Sequence, residues 1–349
     1  METKKIRMEE EHIDEALIRE AGSILKSGGL VAFPTETVYG LGGDALNPLS
    51  SRKIYAAKGR PSDNPLIVHI ADMEALGLIV REIPESAVRL AERFWPGPLT
   101  MILHKSERVP CETTGGLDTV AVRMPVNRIA RELIRAAGGY VAAPSANRSG
   151  RPSPTVAKYV AEDLDGRVEM IIDGGDVKIG LESTIVDLTA DRPVVLRPGY
   201  ITRQQLEKVL AQVEEDSTLM RDDSGQAPKA PGMKYRHYAP KGDLTIVRGT
   251  EEAVAAYING RCAAWKRENK RTGVICTDAT AADYQADVCK SAGCREEEET
   301  IARELYRILR EFDDEDVEVI YAEAFAEEGV GRAVMNRLLK AAGYKVVEV

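Results

Sequence analysis

The sequence predicts an α/β protein of two domains, an open twisted α/β sheet with a deep basic cavity and a smaller Rossmann-like domain joined to it by a linker. Short apolar runs typical of buried strands alternate with amphipathic helical segments along most of the chain. The chain has 349 residues, which is more than one domain usually contains. An acidic stretch, "EEDSTLMRDDSGQ", interrupts the strand–helix pattern from residue 214. We therefore expect a first domain over 1–211, a linker over 212–243 and a smaller, Rossmann-like domain over 244–349.

The composition is that of an ordinary globular protein, with 44% hydrophobic and 30% charged residues. The formal net charge of −9 disfavours a protein that coats nucleic acid, although it allows a local basic cavity. No apolar run is long enough for a membrane span, and the first residues do not resemble a signal peptide. We expect a cytoplasmic protein with no membrane partner.

Several common sites are disfavoured by the absence of their motifs. The five cysteines form no CxxC pair, so free thiols are expected and a zinc site is not. The chain has no Walker loop, no GxSxG elbow and no HExxH motif. GxGxxG does not follow the first strand of the second domain, so NAD is not expected there. We assign no metal ligand among the protein side chains.

The segment over residues 29–70 is the most informative part of the chain. A buried strand, Leu30–Phe33, is followed by Pro34 and a cluster of hydroxyl and carboxylate side chains. We expect the glycines over 40–43 to form a tight turn, followed by a helix, a basic loop and a second strand. This order is how α/β folds present ligand-binding loops, whereas a plain solvated βαβ unit is the alternative for any single residue.

A buried arginine is predicted on a strand near the middle of the first domain. Period-two spacing puts Thr119, Ala121 and Arg123 on one face of this strand. A buried guanidinium needs an anionic partner, because an unpaired buried charge is costly. That partner is either a core carboxylate or the anion of a ligand, and we favour the ligand.

Cations and small polar side chains recur in the loops and at the strand ends. Arginines beside hydroxyls suit a phosphate pocket. In phosphoryl or nucleotidyl transfer, positioning and charge neutralisation do most of the catalysis, and no covalent nucleophile is required. The residues of this set are Lys58, Arg60, Ser62, Arg123, Ser145, Asn147, Ser153 and Arg197.

The second half of the predicted linker has an unusual composition. Lys234, Tyr235, Arg236, His237 and Tyr238 stand together between two prolines, whereas a passive tether would be rich in Gly and Ser. One interpretation is a surface patch that docks the two domains. The interpretation we favour is a lid that closes over a nucleotide in the first domain.

The motifs together resemble those of the threonylcarbamoyl-AMP synthases, in the two-domain branch with a YrdC-like first domain. In their order along the chain they are "PTETVYGLG", "KGRPSDNPLIVHI", "FWPGPLT", "DTVAVRMP", "APSANRSGRPSPT", "GLESTIVD", "LRPG" and "APGMKYRHYAP". The resemblance covers nearly the whole chain. It implies a nucleotidyltransferase that uses L-threonine, bicarbonate and ATP with Mg²⁺ to make threonylcarbamoyl-AMP and pyrophosphate for tRNA modification. It also implies partner proteins that transfer the group to tRNA.

The resemblance also implies roles for individual residues. The catalytic cations are Lys58 and Arg60. Threonine is expected at Thr35, His69, Arg123, Ala143 and Ser183, with Arg123 on the substrate carboxylate. ATP is expected at Lys58, Arg60, Ser62, Thr119, Ser145, Asn147, Ser153, Arg197, Tyr235, His237 and Tyr238.

Two other classes of protein were weighed against this one. A non-catalytic module that binds double-stranded RNA or tRNA would also use a concave basic surface, but the negative net charge disfavours it. A hydrogenase maturation factor that uses carbamoyl phosphate contains a related domain, but its paired-cysteine zinc motifs are missing here.

Overall fold

The computed structural model describes residues 2–219 and 237–349, which fall into two compact α/β units. Within this range the first unit comprises 2–149 and 153–219, and the second comprises 150–152 and 237–349. The predicted fold class is confirmed, since one unit has a large mixed sheet and the other a smaller parallel sheet.

The first unit contains eleven strands and eight α-helices among the described residues. The strands are β1 (Lys4–Arg7), β2 (Val31–Phe33), β3 (Gly40–Asp44), β4 (Ile67–His69), β5 (Leu99–His104), β6 (Thr119–Arg123), β7 (Val141–Ala142), β8 (Met170–Asp173), β9 (Thr184–Asp187), β10 (Val194–Arg197) and β11 (Glu214–Glu215). The helices are α1 (Glu15–Lys26), α2 (Pro48–Lys58), α3 (Leu76–Ile79), α4 (Glu85–Phe94), α5 (Cys111–Thr114), α6 (Arg128–Ala136), α7 (Ala157–Leu164) and α8 (Arg203–Leu210).

The strands of the first unit follow the order β1-β8-β2-β3-β7-β4-β6-β5-β9-β10-β11. Parallel pairs such as β4 with β6 alternate with antiparallel pairs such as β5 with β6. Helices α1 and α6 pack together over one part of the sheet, where Leu25, Leu133 and Ile134 join Val31 and Phe33 in a buried core. This core holds the strand that leads into the polar segment after Phe33.

The glycine-rich segment after this strand differs from the prediction of a tight turn. Residues Gly40–Asp44 form β3, which pairs antiparallel with β2. A Cβ on Gly42 would lie 2.9 Å from side-chain atoms of both Phe33 and Val141. The glycine is therefore needed for close packing of the sheet, which local turn preferences do not reveal. The helix predicted next along the chain is confirmed as α2.

The second unit has five parallel strands in the order β14-β13-β15-β12-β16. The strands are β12 (Asp243–Arg248), β13 (Thr272–Cys276), β14 (Val288–Ser291), β15 (Val319–Glu323) and β16 (Val346–Glu348). The helices are α9 (Glu251–Arg267), α10 (Glu298–Asp314) and α11 (Gly331–Ala341). Strand β14 was not predicted, because "VCKS" is short and carries exposed side chains.

The predicted domain limits remain predictions, and the predicted linker of 212–243 contains sheet residues at both ends. Strand β11 pairs with β10 in the first unit, and β12 begins at Asp243. The composition did not indicate β11, because both of its residues are glutamates on an edge strand. Within 2–219 and 237–349, no helix combines the length and the apolar character that a bilayer crossing needs.

Candidate active site

Five neighbouring strands of the first unit contribute one residue each to a row across the sheet. His69 on β4 is in register with Arg123 on β6, which is in register with Thr100 on β5. Thr100 in turn pairs with Ile185 on β9, and Ile185 pairs with Arg197 on β10. Residues in register on paired strands point to the same face of a sheet, so His69, Arg123 and Thr100 share one face. The register shifts between Val195 and Arg197, and Arg197 is connected to this face through Ser183, which contacts both Arg197 and Thr100.

Below this row the same face of the sheet is apolar. Ile67, Ala121 and Ile102, each two residues from the row on its own strand, pack with Leu196 and with Ile185 of the row in a buried cluster. The period-two spacing predicted for β6 is therefore confirmed. The polar row lies at the edge of a dry core, where charges interact strongly.

Arg123 is 4% exposed and has three partners in the first unit. Its Nη1 donates to Thr37 Oγ1 at 2.9 Å and its Nε donates to the Gly97 carbonyl at 3.3 Å. Its Nη2 lies 2.6 Å from Glu36 Oε1, at an angle that does not satisfy hydrogen-bond geometry, so the contact is an ion pair. The core carboxylate that we considered the less favoured partner is thus present, while the ligand-anion role stays a prediction.

His69 is a buried, neutral imidazole beside this arginine. Burial, followed by the positive charge of Arg123, lowers the pKa of His69 from 6.5 to about 3. Its Nδ1 lies 3.2 Å from the Ile67 carbonyl, and the backbone of Val141 is a second hydrogen-bond partner of the ring. A neutral imidazole has one donor and one acceptor nitrogen, so His69 keeps one lone pair at physiological pH.

Ser183 connects the row to the second buried arginine. Its hydroxyl lies 2.7 Å from Thr100 Oγ1 and accepts from Arg197 Nη2 at 3.1 Å. Arg197 Nε also donates to the Ser183 carbonyl at 3.0 Å. The backbones of Arg123 and Arg197 are three strand spacings apart, roughly 14 Å. Two cations are therefore held on one face at a separation that suits two different anionic groups.

Lys58, at the last position of α2, is 2% exposed and forms a separate polar group. Its Nζ donates to the carbonyls of Ser145 and Asn147 and lies 3.4 Å from Asn147 Oδ1. Ser145 Oγ also donates to Asn147 Oδ1. The structure thus brings together three of the residues predicted to bind ATP, on the loop after β7 and at the end of α2.

The remaining predicted ATP residues of this region are less closely grouped. Arg60 donates to the Asn64 carbonyl at 3.3 Å, to Asn64 Oδ1 at 2.5 Å and to the Pro65 carbonyl at 3.1 Å. Ser62 is exposed. Thr119 lies at the opposite end of β6 from Arg123, roughly 13 Å away along the strand. The structure therefore does not join Thr119 to the row, although it lies on the same face.

The polar segment after β2 is held by its own hydroxyls and by two loops. Thr35 Oγ1 donates to the Val38 carbonyl at 2.6 Å and accepts from Thr37 N at 3.2 Å. Ile179 N donates to the Glu36 carbonyl at 2.9 Å, so the loop before Ser183 runs alongside. Thr35 is consequently positioned by local turn chemistry beside the partners of Arg123.

Two further predicted residues are buried and have clear partners. Ala143 is 3% exposed, and its N–H donates to the Ile67 carbonyl at 2.9 Å, which places it beside β4. Ser153 is fully buried and donates to Glu182 Oε1 at 2.6 Å. Glu182 precedes Ser183, so Ser153 is attached to the same loop as the row.

The predicted lid residues fall in two places. Tyr235 lies outside the described residues. His237 and Tyr238 are buried and belong to the second unit, where the Tyr238 ring lies 5.1 Å from that of Tyr306 and 5.8 Å below the guanidinium of Arg337. The contact of His237 and Tyr238 with ATP stays a prediction.

Sequence reasoning missed four polar residues of this region. Glu36 and Thr37 contact Arg123, Thr100 contacts Ser183, and Glu182 contacts Ser153. A signal existed for the first two, since they stand in the polar cluster that follows a buried strand. Thr100 and Glu182 gave none, because their partners are distant in sequence.

The described residues contain no group of three or more His, Cys, Asp or Glu side chains that could hold a metal ion. The buried carboxylates Glu36 and Glu182 are engaged by Arg123 and Ser153 respectively. The side chains of the described residues therefore do not form a metal site of their own.

Comparison with known proteins gives matches over nearly the whole chain. A family model described as telomere recombination matches residues 23–199, and a model of the C-terminal domain of threonylcarbamoyl-AMP synthase matches residues 201–343. The threonylcarbamoyl-AMP synthase of Pyrococcus abyssi is 51% identical, over 97% of this chain and 98% of its own. That of Bacillus subtilis is 49% identical, over 95% and 94% respectively.

Solved structures agree with these matches. Sua5 of P. abyssi complexed with L-threonine is 48% identical and superimposes with a TM-score of 0.93, covering 100% of both chains. YciO of E. coli is 26% identical, with a TM-score of 0.50 over 56% of this chain and 94% of its own. The two-domain organisation, the buried polar row and these similarities lead to one conclusion: the chain belongs to the threonylcarbamoyl-AMP synthase family.

Proposed function

We propose that this protein joins L-threonine, bicarbonate and ATP into threonylcarbamoyl-AMP and pyrophosphate, which supplies the activated group for threonylcarbamoyl-adenosine in tRNA. The observation that carries the proposal is the row across five strands, which holds two buried arginines and a neutral histidine on one face of the sheet. A structural relative is solved in complex with L-threonine, which supports an amino-acid site in this chain.

The reaction consists of a condensation followed by a transfer. The threonine amine adds to the carbon of bicarbonate and water leaves, which gives N-carboxy-threonine. An oxygen of the new carboxylate attacks the α-phosphorus of ATP, and the bond to the β-phosphate oxygen breaks to release pyrophosphate. Charge builds on the phosphate oxygens during the transfer, so fixed cations lower the barrier.

Arg123 and its neighbours suit the amino-acid end of this reaction. In the proposed site Arg123 takes the threonine carboxylate in a bidentate contact, for which its planar fork is shaped. His69 is neutral and offers a nitrogen lone pair to the substrate hydroxyl or ammonium. Thr35, Ala143 and Ser183 complete this end of the site.

Lys58 and Arg197 suit the nucleotide end. Lys58 is joined to the loop that carries Ser145 and Asn147, so a phosphate on this loop would meet a positive charge. Arg197 is held by Ser183, which links the two ends of the proposed site. Arg60, Ser62, Thr119 and Ser153 are the further proposed ATP contacts.

Mg²⁺ is proposed to accompany ATP. The phosphate oxygens of the nucleotide supply most of the ligands that magnesium needs, and water supplies others. The described residues contain no cluster of acidic side chains that would hold the ion without the nucleotide. The proposal includes a cytoplasmic reaction, with the enzymes that act on tRNA as functional partners.

The decisive experiment is incubation of the purified protein with ATP, MgCl₂, L-threonine and bicarbonate, followed by mass detection of threonylcarbamoyl-AMP. Omission of threonine or bicarbonate should abolish both the adenylate and pyrophosphate release. The proposal would be refuted if the rate of pyrophosphate release were the same with and without threonine. A parallel salt titration of RNA binding separates catalysis from a module that only binds RNA.

A further inference from the structure

A cavity of about 520 Å³ lies at the carboxyl edge of the parallel sheet in the second unit. It is lined by residues 247–251 and Val254, by residues 323–327, and by Tyr284 and Arg295. Its size is that of a small-molecule site. None of these residues has a part in the chemistry proposed for the first unit, so the inference is independent of that function.

The cavity lies where the sheet changes its direction of winding. The neighbouring strands β12 and β15 end side by side, with Val247 in register with Glu323. Helix α9, which follows β12, packs on the face of the sheet that carries Val274. Helix α10 contacts Gly273 on the opposite face. Helix α11, which follows β15, packs against α10 and therefore lies on that opposite face as well. The chain thus leaves the two strands toward opposite faces, and ligands of open α/β sheets bind in such a crevice.

A fixed polar group forms one wall of this crevice. Glu323 is 3% exposed and accepts from Tyr284 Oη at 2.8 Å and from Thr280 Oγ1. Arg295 donates to Glu323 at 2.5 Å and to the Ala324 carbonyl at 3.1 Å. The buried charge is neutralised and its partners are held, so the site is preformed.

One side of the crevice offers donors to a single anionic group, while the lining as a whole has three carboxylates and two arginines. The first turn of α9 directs the N–H groups of Glu251 and Glu252 outward at the positive end of the helix dipole, while Thr250 caps Ala253. Arg295 lies within the lining, where it pairs with Glu323 and lies 3.9 Å from Glu251. Arg248 is paired at the rim with Glu327 and, at 3.6 Å, with Glu348. Both members of this rim pair are more than 40% exposed, so the pair is weak and can open for a ligand.

The other residues that line the crevice determine which chemical groups can be attached to the anion. Glu251 and Glu327 would repel a second or third phosphate, and each has oxygens beyond its arginine contact that can accept from neutral hydroxyls. Acidic residues bind ribose hydroxyls in this way in such crevices. Val247, Val254 and Phe325 provide apolar surface for a flat ring. A single glycine, Gly249, separates β12 from the cap of α9, which is too little for the pyrophosphate loop of a dinucleotide site.

We propose that this crevice is a binding site for a nucleoside monophosphate. The phosphate lies at the start of α9 between Arg248 and Arg295, the ribose hydroxyls donate to Glu251 and Glu327, and the base covers the apolar wall.

Hydrogen–deuterium exchange of the full chain tests the proposal, with AMP, adenosine and inorganic phosphate as separate probes. AMP should protect peptides that contain 247–254 and 323–327. Arg248→Ala should weaken this protection about tenfold in affinity, which is the effect of losing one charged contact to phosphate. Ala326→Trp, at an exposed lining position, should block the crevice without a change of charge.

Arg267→Ala, at the exposed far end of α9, is the matched control and should keep full protection. Protection confined to peptides around Lys58 and Arg197 reports the proposed ATP site of the first unit and overturns the present inference. Equal protection by inorganic phosphate alone also overturns it, because the nucleoside would then contribute nothing. The inference is also overturned if AMP protects the Ala326→Trp variant as strongly as it protects the wild type.

Discussion

Arg123 Nη2 and Glu36 Oε1 lie 2.6 Å apart, and neither side chain is more than 4% exposed. The pair lies in the polar segment of the site, and neither oxygen of Glu36 has a hydrogen-bond partner among the described residues. Taking two charges out of water is expensive, and an incomplete set of hydrogen bonds repays that cost poorly. The pair therefore contributes little net stability to the fold.

Removal of one partner should be more harmful to folding than removal of both. Arg123→Ala leaves Glu36 buried without its cation, so we expect the free energy of unfolding to fall by about 3–5 kcal/mol. The double variant Arg123→Met with Glu36→Gln should lose much less. Urea denaturation of the three proteins measures this. Equal losses in the single and double variants would show that Glu36 does not depend on Arg123.

Arg123 and Arg197 should affect different substrates. Arg123→Ala should raise the KM for threonine far more than the KM for ATP, and Arg197→Ala should do the reverse, because the two guanidinium groups are proposed to meet different anions. Initial rates of pyrophosphate release, measured where each variant is folded, give both constants. An unchanged KM for threonine in Arg123→Ala would refute the role assigned to that arginine.

His69 should make stability depend on pH. Its pKa is about 3 when folded and 6.5 as the unperturbed value, so its contribution is complete above pH 6.5 and is lost as pH falls toward 3. The loss is about 1.4 kcal/mol per pH unit in this window. The stability gap between the wild type and His69→Asn should therefore narrow as the pH is lowered, in urea denaturation at matched ionic strength. A gap that stays constant contradicts a depressed pKa.

Lys58 should be needed for nucleotide use. Lys58→Met removes the donor that Ser145 and Asn147 share, so we expect a loss of at least tenfold in kcat/KM for ATP. Arg52→Ala is the matched control, since Arg52 is on the same helix but pairs with Glu112 at the surface. In the control, kcat/KM for ATP should be unchanged, and the free energy of unfolding should change by no more than about 0.5 kcal/mol. Equal losses in both variants would point to damage of α2 as a whole.

The hydroxyl contact between Thr100 and Ser183 should show strong coupling. Each is at most 1% exposed, and Ser183→Ala leaves the Thr100 hydroxyl without its partner at a cost of about 1–3 kcal/mol. Thr100→Val together with Ser183→Ala removes both polar groups and should cost less than the sum of the single changes. A double-mutant cycle by denaturation measures the coupling. Strict additivity would mean that the two hydroxyls do not interact.

The sequence predicted elements best where local chemistry decides them. Helix α2 has a capping asparagine and a terminal glycine, Gly59, with a left-handed φ of 63°, and it was predicted. Strand β3 was not, because its glycines are required by Phe33 and Val141, which lie across the sheet. Contacts between distant segments override local preference in such places.

The candidate site was predictable as a list of residues but not as an arrangement. Motif resemblance supplied His69 and Ser183, whereas strand spacing and the recurring cations indicated Arg123 and Arg197. Their common face depends on the pairing of five strands, which no local pattern encodes. The ion pair of Arg123 with Glu36 joins β6 to the segment after β2, and such a contact between distant segments has no local signal in the sequence.

Because the row spans five strands of the first sheet, activity depends on the correct register of these strands. A strand that pairs one residue out of step turns each of its side chains to the opposite face. A slip of β6 would present Val122 where Arg123 belongs, in a chain that still buries most of its apolar surface. Refolded preparations can therefore contain compact molecules without a site. Their specific activity would measure the fraction of molecules with correctly paired strands, whereas spectroscopy would measure the fraction of all folded molecules.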